Sequence, residues 1–461
     1  MKQLLPALAL FLALTAPAAA AETKPNFLVI FTDDQTFRAI GYNNPEIRTP
    51  TLDRLARDGV IFSHAYTASP ICVASRASVM TGRFPQQHHT VALDTASFLP
   101  RVESGKQQTL AAYLREAGYL TALCGKSHLG NPRRYGFDAG QEHRDAFDDV
   151  PLAYAKEFVA ARGADRRPFL LWFGMRQPHV PLLPAKTWLD LYPKPLTIPP
   201  NFRETPLKQS ICNQGVPGEA FYRDSQFTNN YRHLPSGPPR SKEVIRDFTL
   251  AYYATISHLD HQVDQLTRQL QQAGLADNTI VIFLADNGYF LGNHGLGNKI
   301  TMHEESVRVP MFFSGGKLPR RGVTCEQLVS SVDLLPTLLE LAGVPRPEGL
   351  WGKSLAPQLA DPKRPLREYV ASECVGVGGK PGQGHRMVRT ERWKYVLTDV
   401  NDEALFDEQA DPYELTNLAS EAAHRETLGK LRQMMRQWMT AVDDGHAKPP
   451  EWQPCGALFV R

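Results

Sequence analysis

The sequence predicts an α/β chain: a large mixed, mostly parallel sheet sandwiched by helices, followed by a smaller C-terminal antiparallel sheet subdomain. Three observations predict it. Runs such as 26–32 (Asn-Phe-Leu-Val-Ile-Phe-Thr) and 279–284 are continuously apolar and rich in β-branched and aromatic residues, as strands buried on both faces are. They alternate with longer amphipathic segments that carry helix-start and helix-stop residues. Past about Pro345 the texture changes to Pro/Gly-rich connections, short strand-like runs and one closing helical segment.

The run 26–32 is bounded by Pro25 and by Asp33-Asp34, which sets two carboxylates at the C-terminal end of a central strand. In open α/β sheets that end is where ligands bind. Two adjacent like charges there call for a cation beside them. Residues 49–59 form a capped helix with Pro50 near its start and Gly59 at its end, leading to a short strand at 60–63. A helix over 75–81 would put its positive end under Cys72, with Arg76 as a fixed cation beside it.

An amphipathic helix over 107–118 and a strand over 119–124 lead to Gly125-Lys126-Ser127-His128. Another apolar strand, 168–174, is followed by Arg176-Gln177-Pro178-His179-Val180-Pro181, a rigid loop with one histidine. Residues 185–240, rich in Pro, Gly and Asn, read as an irregular excursion lining or covering a cleft. From Ser241 a helix runs to Gln272 on a stripe of Ile256, Leu259, Val263, Leu266 and Leu270; His258 and His261 are read as helix-surface or core-edge residues. The strand 279–284 ends in Asp286-Asn287-Gly288, and its loop continues to Lys299. A strand at 309–313 and a helix at 331–343 follow, then strands at 369–373, 386–389 and 393–397 and a helix at 422–442.

Composition bounds the reading. A chain of 461 residues, 42% hydrophobic and 21% charged, exceeds what one compact core holds. A formal charge of +3 with no basic block excludes a nucleic-acid arm. The first 21 residues carry Lys2, an apolar run from Leu4 to Leu14 and small residues Ala19 and Ala21, the pattern of a cleaved export signal. No later stretch approaches 18 apolar residues, so the expectation is an exported, periplasmic or secreted chain with no membrane span. The expected organisation is a signal peptide over 1–21, a catalytic domain over 22–345 and a C-terminal subdomain over 346–461. Six cysteines (72, 124, 212, 325, 374 and 455) in an exported chain suggest bridges, and consumption of Cys72 would leave five, an odd number.

Cys72-Val73-Ala74-Ser75-Arg76-Ala77-Ser78-Val79-Met80-Thr81-Gly82 has the composition of a reactive site, with no partner cysteine at metal or redox spacing. It resembles the sulfatase signature, in which Cys-x-(Pro or Ala)-Ser-Arg and a following Thr-Gly direct oxidation of the cysteine to formylglycine (3-oxoalanine). The likeness to type I sulfatases of the alkaline phosphatase superfamily extends over nearly the whole mature chain. It includes Arg389-Thr390-Glu391-Arg392-Trp393-Lys394-Tyr395, Leu405-Phe406-Asp407 and Asp411-Pro412-Tyr413-Glu414-Leu415 near the end.

The strand ends collect Asp33, Asp34, Asp286 and Asn287 as hard oxygen ligands, with Lys126, Lys299, Arg76, His128 and His179 around Cys72. Such ligands suit Ca²⁺ or Mg²⁺ more than zinc; the resemblance implies Ca²⁺, with residue 72 itself as a ligand. It further implies that hydrated formylglycine attacks sulfur with Asp286 accepting a proton, while Lys126, Lys299 and Arg76 neutralise the sulfuryl oxygens. His179 with Lys299 would protonate the departing alcohol, and His128 would take a proton from the second hydroxyl so that sulfate leaves. Arg176, Gln177, Asn298 and His303 flank these positions as candidate substrate contacts. The patterns at 177–181 and 304–310 look like those of glycosaminoglycan-type sulfatases. The expected partners are a sulfated saccharide substrate and a formylglycine-generating enzyme during maturation. Two readings compete: a phosphonate monoester or phosphodiester hydrolase of the same superfamily, and an unmatured carbohydrate-binding paralogue.

Overall fold

The computed structural model describes residues 24–91, 98–143, 147–162, 165, 167–213, 241–375 and 383–443. The 1–21 leader, Cys455 and residues 214–240 of the 185–240 excursion lie outside them. Eight strands make the main sheet: β1 (Asn26–Thr32), β2 (Val60–Tyr66), β3 (Leu120–Gly125), β4 (Ala139–Glu142), β5 (Phe169–Gly174), β6 (Thr279–Ala285), β9 (Met311–Gly315) and β10 (Val323–Ser330). A two-strand ribbon, β7 (Phe290–Leu291) and β8 (Gly297–Asn298), interrupts the count after β6. The order is β10-β2-β9-β6-β1-β5-β3-β4, parallel throughout except for β9, which runs against β2 and β6.

Burial on both faces explains the apolar runs. In β1, Phe27, Val29 and Phe31 enter one core while Leu28 and Ile30 enter the other, so no position is left for a polar side chain between Asn26 and Thr32. The first core takes α2 (Cys72–Thr81) through Val73, Ala77, Val79 and Met80. The second takes α1 (Pro50–Arg57) through Leu52 and Leu55, and the long helix Lys242–Gln272 through Leu259, Val263, Leu266 and Leu270. Ser241 caps that helix, its Oγ accepting the Val244 N–H.

The C-terminal sheet is antiparallel, β11 (Val370–Cys374), β12 (His385–Arg389), β13 (Trp393–Thr398) and β14 (Glu403–Asp407), in that order. Helix Arg425–Ala441 covers it with Leu428, Leu431, Met435 and Trp438. Lys394 on β13, fully buried, meets Glu304 and Glu414 at 2.7 Å each and Glu408 at 3.3 Å, pinning this sheet to the segment just past the Lys299 loop.

Several elements depart from the sequence reading. β4, β10, β14 and the helix Asp149–Ala161 are not among the elements the sequence predicts. The helix expected at 331–343 opens as a 3-10 turn and becomes regular over Leu334–Leu341, with Pro336 in its first turn, where a missing N–H costs little. The thiols of Cys72, Cys124, Cys212 and Cys325 are buried and free, so the bridges suggested by cysteine count do not form among them.

One buried histidine makes stability depend on pH. His88 accepts the Thr90 N–H at Nδ1, which fixes the proton on Nε2, facing Ser78 Oγ at 2.9 Å. Burial pushes its pKa down from the ordinary 6.5 to about 3, with His89 and Arg101 adding to the effect. Below pH 6.5 the unfolded chain binds a proton that the fold refuses. Stability should therefore fall by about 1.4 kcal/mol per pH unit for this group as pH drops from 6.5 towards 3. Denaturant midpoints at pH 7 and pH 5 should separate, and His88→Gln should narrow the gap by about 2 kcal/mol.

Candidate active site

Strand register assembles the site. Thr32 of β1 pairs with Ala285 of β6, so Asp33 and Asp286 leave adjacent parallel strands side by side. Phe31 pairs with Gly174 of β5, and Gly174 with Gly125 of β3, which brings Lys126 and the 176–181 loop to the other flank. Glycine is required at both places: a Cβ at Gly125 would lie 2.0 Å from Gly174 O, and one at Gly174 would lie 2.2 Å from Lys126 O. α2 begins at Cys72, three residues earlier than expected, so Cys72 occupies its first turn and the positive helix end faces the acidic strand ends.

Cys72 Sγ stands 3.3 Å from Asp33 Oδ1, 3.8 Å from Asp34 Oδ1 and 2.7 Å from Lys299 Nζ. Ligand atoms of Asp33, Asp34, Cys72 and Asp286 all lie within 4.8 Å of one another, and all four residues are buried. Lys126 pairs with Asp33 and Lys299 with Asp34. Arg76, also buried, lays Nε and Nη2 at 2.8 Å on Asp286 Oδ2, donates Nη1 to Lys126 O at 2.7 Å and covers the Phe31 ring. Its guanidinium is thus engaged with the carboxylate and the Lys126 backbone.

The electrostatics follow from burial. Burial pushes the Asp34 carboxyl above its usual range, opposed by Lys299 and reinforced by Asp286. Burial also pushes the Cys72 thiol up to about 12, with Lys299 pulling down and Asp286 and Asp34 pushing up. For Lys299, burial acts to lower the pKa, but Asp34, Cys72 and Asp286 overcome it and hold the ammonium charged. Burial, Lys126 and Lys299 together depress His179, whose Nδ1 lies 2.6 Å from Val180 O and whose Nε2 faces Asp34 Oδ2 at 3.8 Å.

This donor set fits a hard divalent cation. Three carboxylates converge, and Asn287, which donates Nδ2 to Asp34 Oδ1 at 2.7 Å, keeps a buried Oδ1 with no hydrogen-bond partner among the described residues. Asp33, Asp34, Asp286 and Asn287 could hold such an ion with the residue-72 side chain as a further ligand.

The remaining predicted residues fall into place unevenly. His128 sits two residues past Lys126 at φ 60°, its backbone N–H on Glu142 Oε1. Arg176 donates to Val180 O and takes its backbone position from Asp148. Gln177 is buried, its side-chain Nε2 donating to Phe147 O and Gln262 Oε1. His303 is likewise buried, its Nδ1 2.9 Å from Thr301 Oγ1 and its ring 4.3 Å from that of His294. Asn298 holds φ 62° on β8 immediately before Lys299.

Three supporting residues have no role in the sequence reading. Tyr252, on the long helix, donates Oη to Asp34 O at 2.5 Å and accepts the Thr36 N–H, holding Asp34 at φ 63°. Ser75 donates to Asp286 O at 2.5 Å. Asp148 accepts the N–H groups of Arg176 and Gln177. Nothing in local composition marks Tyr252 or Asp148; Ser75 belongs to the signature, which by itself assigns it no contact.

A buried carboxylate cluster with fixed cations, set at the carboxyl ends of a mostly parallel sheet beside a helix-borne cysteine, defines a hydrolase of anionic esters. The sulfatase family model matches residues 25–344, and a model described as N-sulphoglucosamine sulphohydrolase, C-terminal, matches residues 292–441. The chain belongs to the sulfatase family, enzymes that hydrolyse sulfate esters. It is 27% identical to an N-acetylglucosamine-6-O-sulfatase of Bacteroides thetaiotaomicron over 96% of this chain and 91% of that one. It is 30% identical to an ulvan-active sulfatase of Formosa agariphila over 86% and 77%. Among solved structures, one in complex with D-glucosamine-2-N,6-O-disulfate as its substrate superposes with TM-score 0.79 at 23% identity, covering 93% of this chain and all of that one. A phosphonate monoester hydrolase of Agrobacterium radiobacter superposes at 0.75 and 21% identity, over 91% and 96%.

Arg76 offers a direct test of this architecture. Arg76→Ala would strand Asp286 as a buried charge, a change that costs about 3–5 kcal/mol. Arg76→Lys should recover only part of it, since an ammonium cannot reproduce the planar fork. Denaturant midpoints of both variants against the parent measure the difference.

Proposed function

We propose that this sulfatase is an exported enzyme acting on a sulfated carbohydrate such as a glycosaminoglycan, with Cys72 matured to formylglycine and a divalent cation, Ca²⁺ by ligand type, beside it. The single observation that carries the reading is the meeting of Cys72 with Asp33, Asp34, Asp286 and Lys299 at the mouth of the sheet. The carbohydrate class rests on the two relatives above, both named for saccharide substrates. Export rests on the 1–21 pattern. The division into a catalytic domain to about residue 345 and a C-terminal subdomain belongs to the same reading.

Oxidised and hydrated, residue 72 would supply a pair of hydroxyls on one carbon, and the cation would supply Lewis-acid polarisation of the sulfuryl group. This chain's own residues do the rest. Lys126 and Lys299, which pair with Asp33 and Asp34, would bind the sulfuryl oxygens as charge builds on them. Asp286, held by Arg76, would accept the proton of the attacking hydroxyl. His179 keeps Nδ1–H on Val180 O, which turns Nε2 to the cleft; the anionic substrate between the two lysines would raise its pKa and let it hold the proton destined for the leaving oxygen. His128 would take the proton that releases sulfate. The cation-rich pocket around residue 72 is equally a feature that a phosphonate ester could enter, so relative activity decides between the two.

The test is turnover by protein co-expressed with a formylglycine-generating enzyme. N-acetylglucosamine 6-sulfate, D-glucosamine-2-N,6-O-disulfate and ulvan should be compared with phenyl phosphonate monoesters. We expect at least one sulfated saccharide to exceed the phosphonates in kcat/KM, Cys72→Ser to abolish multiple turnover and Lys126→Ala to lower kcat by about 10²–10³-fold. Phosphonate turnover above every sulfate ester would sink the reading.

A further inference from the structure

Close to the metal-type cluster lies a cavity of about 350 Å³, open to solvent. Its size falls within the roughly 300–1,000 Å³ of small-ligand sites. The wall begins with Thr36, two residues past Asp34, and continues through Arg38, Tyr253, Asn293 and Glu305 to Tyr413 of the C-terminal segment. None of these residues is used in the chemistry above.

Three of the lining side chains hold buried polar atoms without hydrogen-bond partners among the described residues: Thr36 Oγ1, Arg38 Nε and Glu305 Oε2. Thr36 and Glu305 are 2% and 3% exposed. Each atom has a neighbour that fixes it in place. The Arg38 guanidinium is clasped between the rings of Phe37 and Tyr413, each 4.7 Å from its carbon. Glu305 Oε1 accepts N–H groups from Asn201 and Asn293, at 2.9 and 3.0 Å, while Oε2 faces His294 Nε2 at 3.9 Å. The Thr36 backbone is anchored on Tyr252 Oη. Unpartnered buried donors and acceptors are costly and rare, and three residues carrying them around one open cavity point to something polar that completes them.

We infer that this cavity is a saccharide subsite: Thr36, Arg38 and Glu305 supply one hydroxyl, one cationic donor and one carboxylate acceptor, and Tyr253 and Tyr413 supply aromatic surface, for a sugar unit of the substrate. The chemistry is specific to that class. A sugar offers hydroxyl donors for Glu305, and hydroxyl, carboxylate or sulfate acceptors for Arg38, while its C–H face suits tyrosine. An apolar ligand would leave all three groups unsatisfied, and a simple anion would meet the Glu305 carboxylate. The inference rests on the carbohydrate reading of the active site and extends it to a second point of contact.

The test separates the two claims. Full-length protein is applied to an array of sulfated and unsulfated oligosaccharides, and turnover of 4-nitrophenyl sulfate is measured in parallel. Thr36→Val is isosteric and removes a hydroxyl that has no partner among the described residues; Arg38→Met keeps the stem between the two rings. Both should fold, retain 4-nitrophenyl sulfate turnover and weaken oligosaccharide binding about tenfold or more. Equal retention of every oligosaccharide by parent and variants, or no oligosaccharide retained by the parent, overturns the subsite and leaves the cavity to water. A parallel fall in 4-nitrophenyl sulfate turnover would also overturn it, by showing that these residues merely support the catalytic loop. Failure of the parent to hydrolyse any sulfate ester, with variant-sensitive binding intact, would instead sink the sulfatase chemistry and spare the subsite.

Discussion

Three carboxylates held away from water beside one another are the constraint on which this structure depends. Asp33, Asp34 and Asp286 are at most 1% exposed, and each charge carries a desolvation cost that only close cations can offset. Arg76, Lys126 and Lys299 supply three positive charges within the same small volume. The β1–β6 and β1–β5–β3 registers, the paired Gly125 and Gly174, and the start of α2 at Cys72 all place charge against charge at the carboxyl edge of the sheet. Asp34 even accepts a left-handed backbone, locked by Asp286 Oδ1 on its N–H and Tyr252 on its carbonyl.

A second buried charge cluster ties the C-terminal sheet to this edge. Lys394 on β13 gathers Glu304, Glu408 and Glu414, while the Glu304 N–H donates to Glu414 Oε2 at 2.8 Å. Two residues on, Ser306 accepts the Gly288 N–H on its carbonyl and the Ile300 N–H on its hydroxyl. Packing in the C-terminal subdomain is thereby passed to the two loops that present Asn287 and Lys299. The subdomain is part of the site's scaffold, and it also contributes Tyr413 to the neighbouring cavity.

Much of this is legible in the sequence because burial on both faces of a parallel sheet leaves a plain signature. Strand cores become uninterrupted apolar runs, so the first polar residues after them, Asp33, Lys126 and Asp286, stand out as edge chemistry. Edge strands lack that signature. β10, with Thr324, Glu326 and Gln327 among its residues, is half exposed and reads as loop. The Cys72 helix starts without a side-chain cap, since Ile71 precedes it, and its first turn carries no local signal. Gln177 and His303 draw attention as polar neighbours of His179 and Lys299, and their partners, Gln262 and His294, come from distant or differently folded segments that no local pattern connects. Register, which brings Asp33 and Asp286 together across more than 250 residues, is a property of the assembled sheet.

Calcium titration of the full chain, by calorimetry and by thermal melting, tests the central claim most directly. The account predicts one ion bound per chain, a saturating rise in Tm, and loss of both when Asp286 is changed to Asn. A chain that binds no Ca²⁺, or whose binding and Tm shift survive in Asp286→Asn, would contradict the view that these carboxylates are gathered to hold a cation beside residue 72.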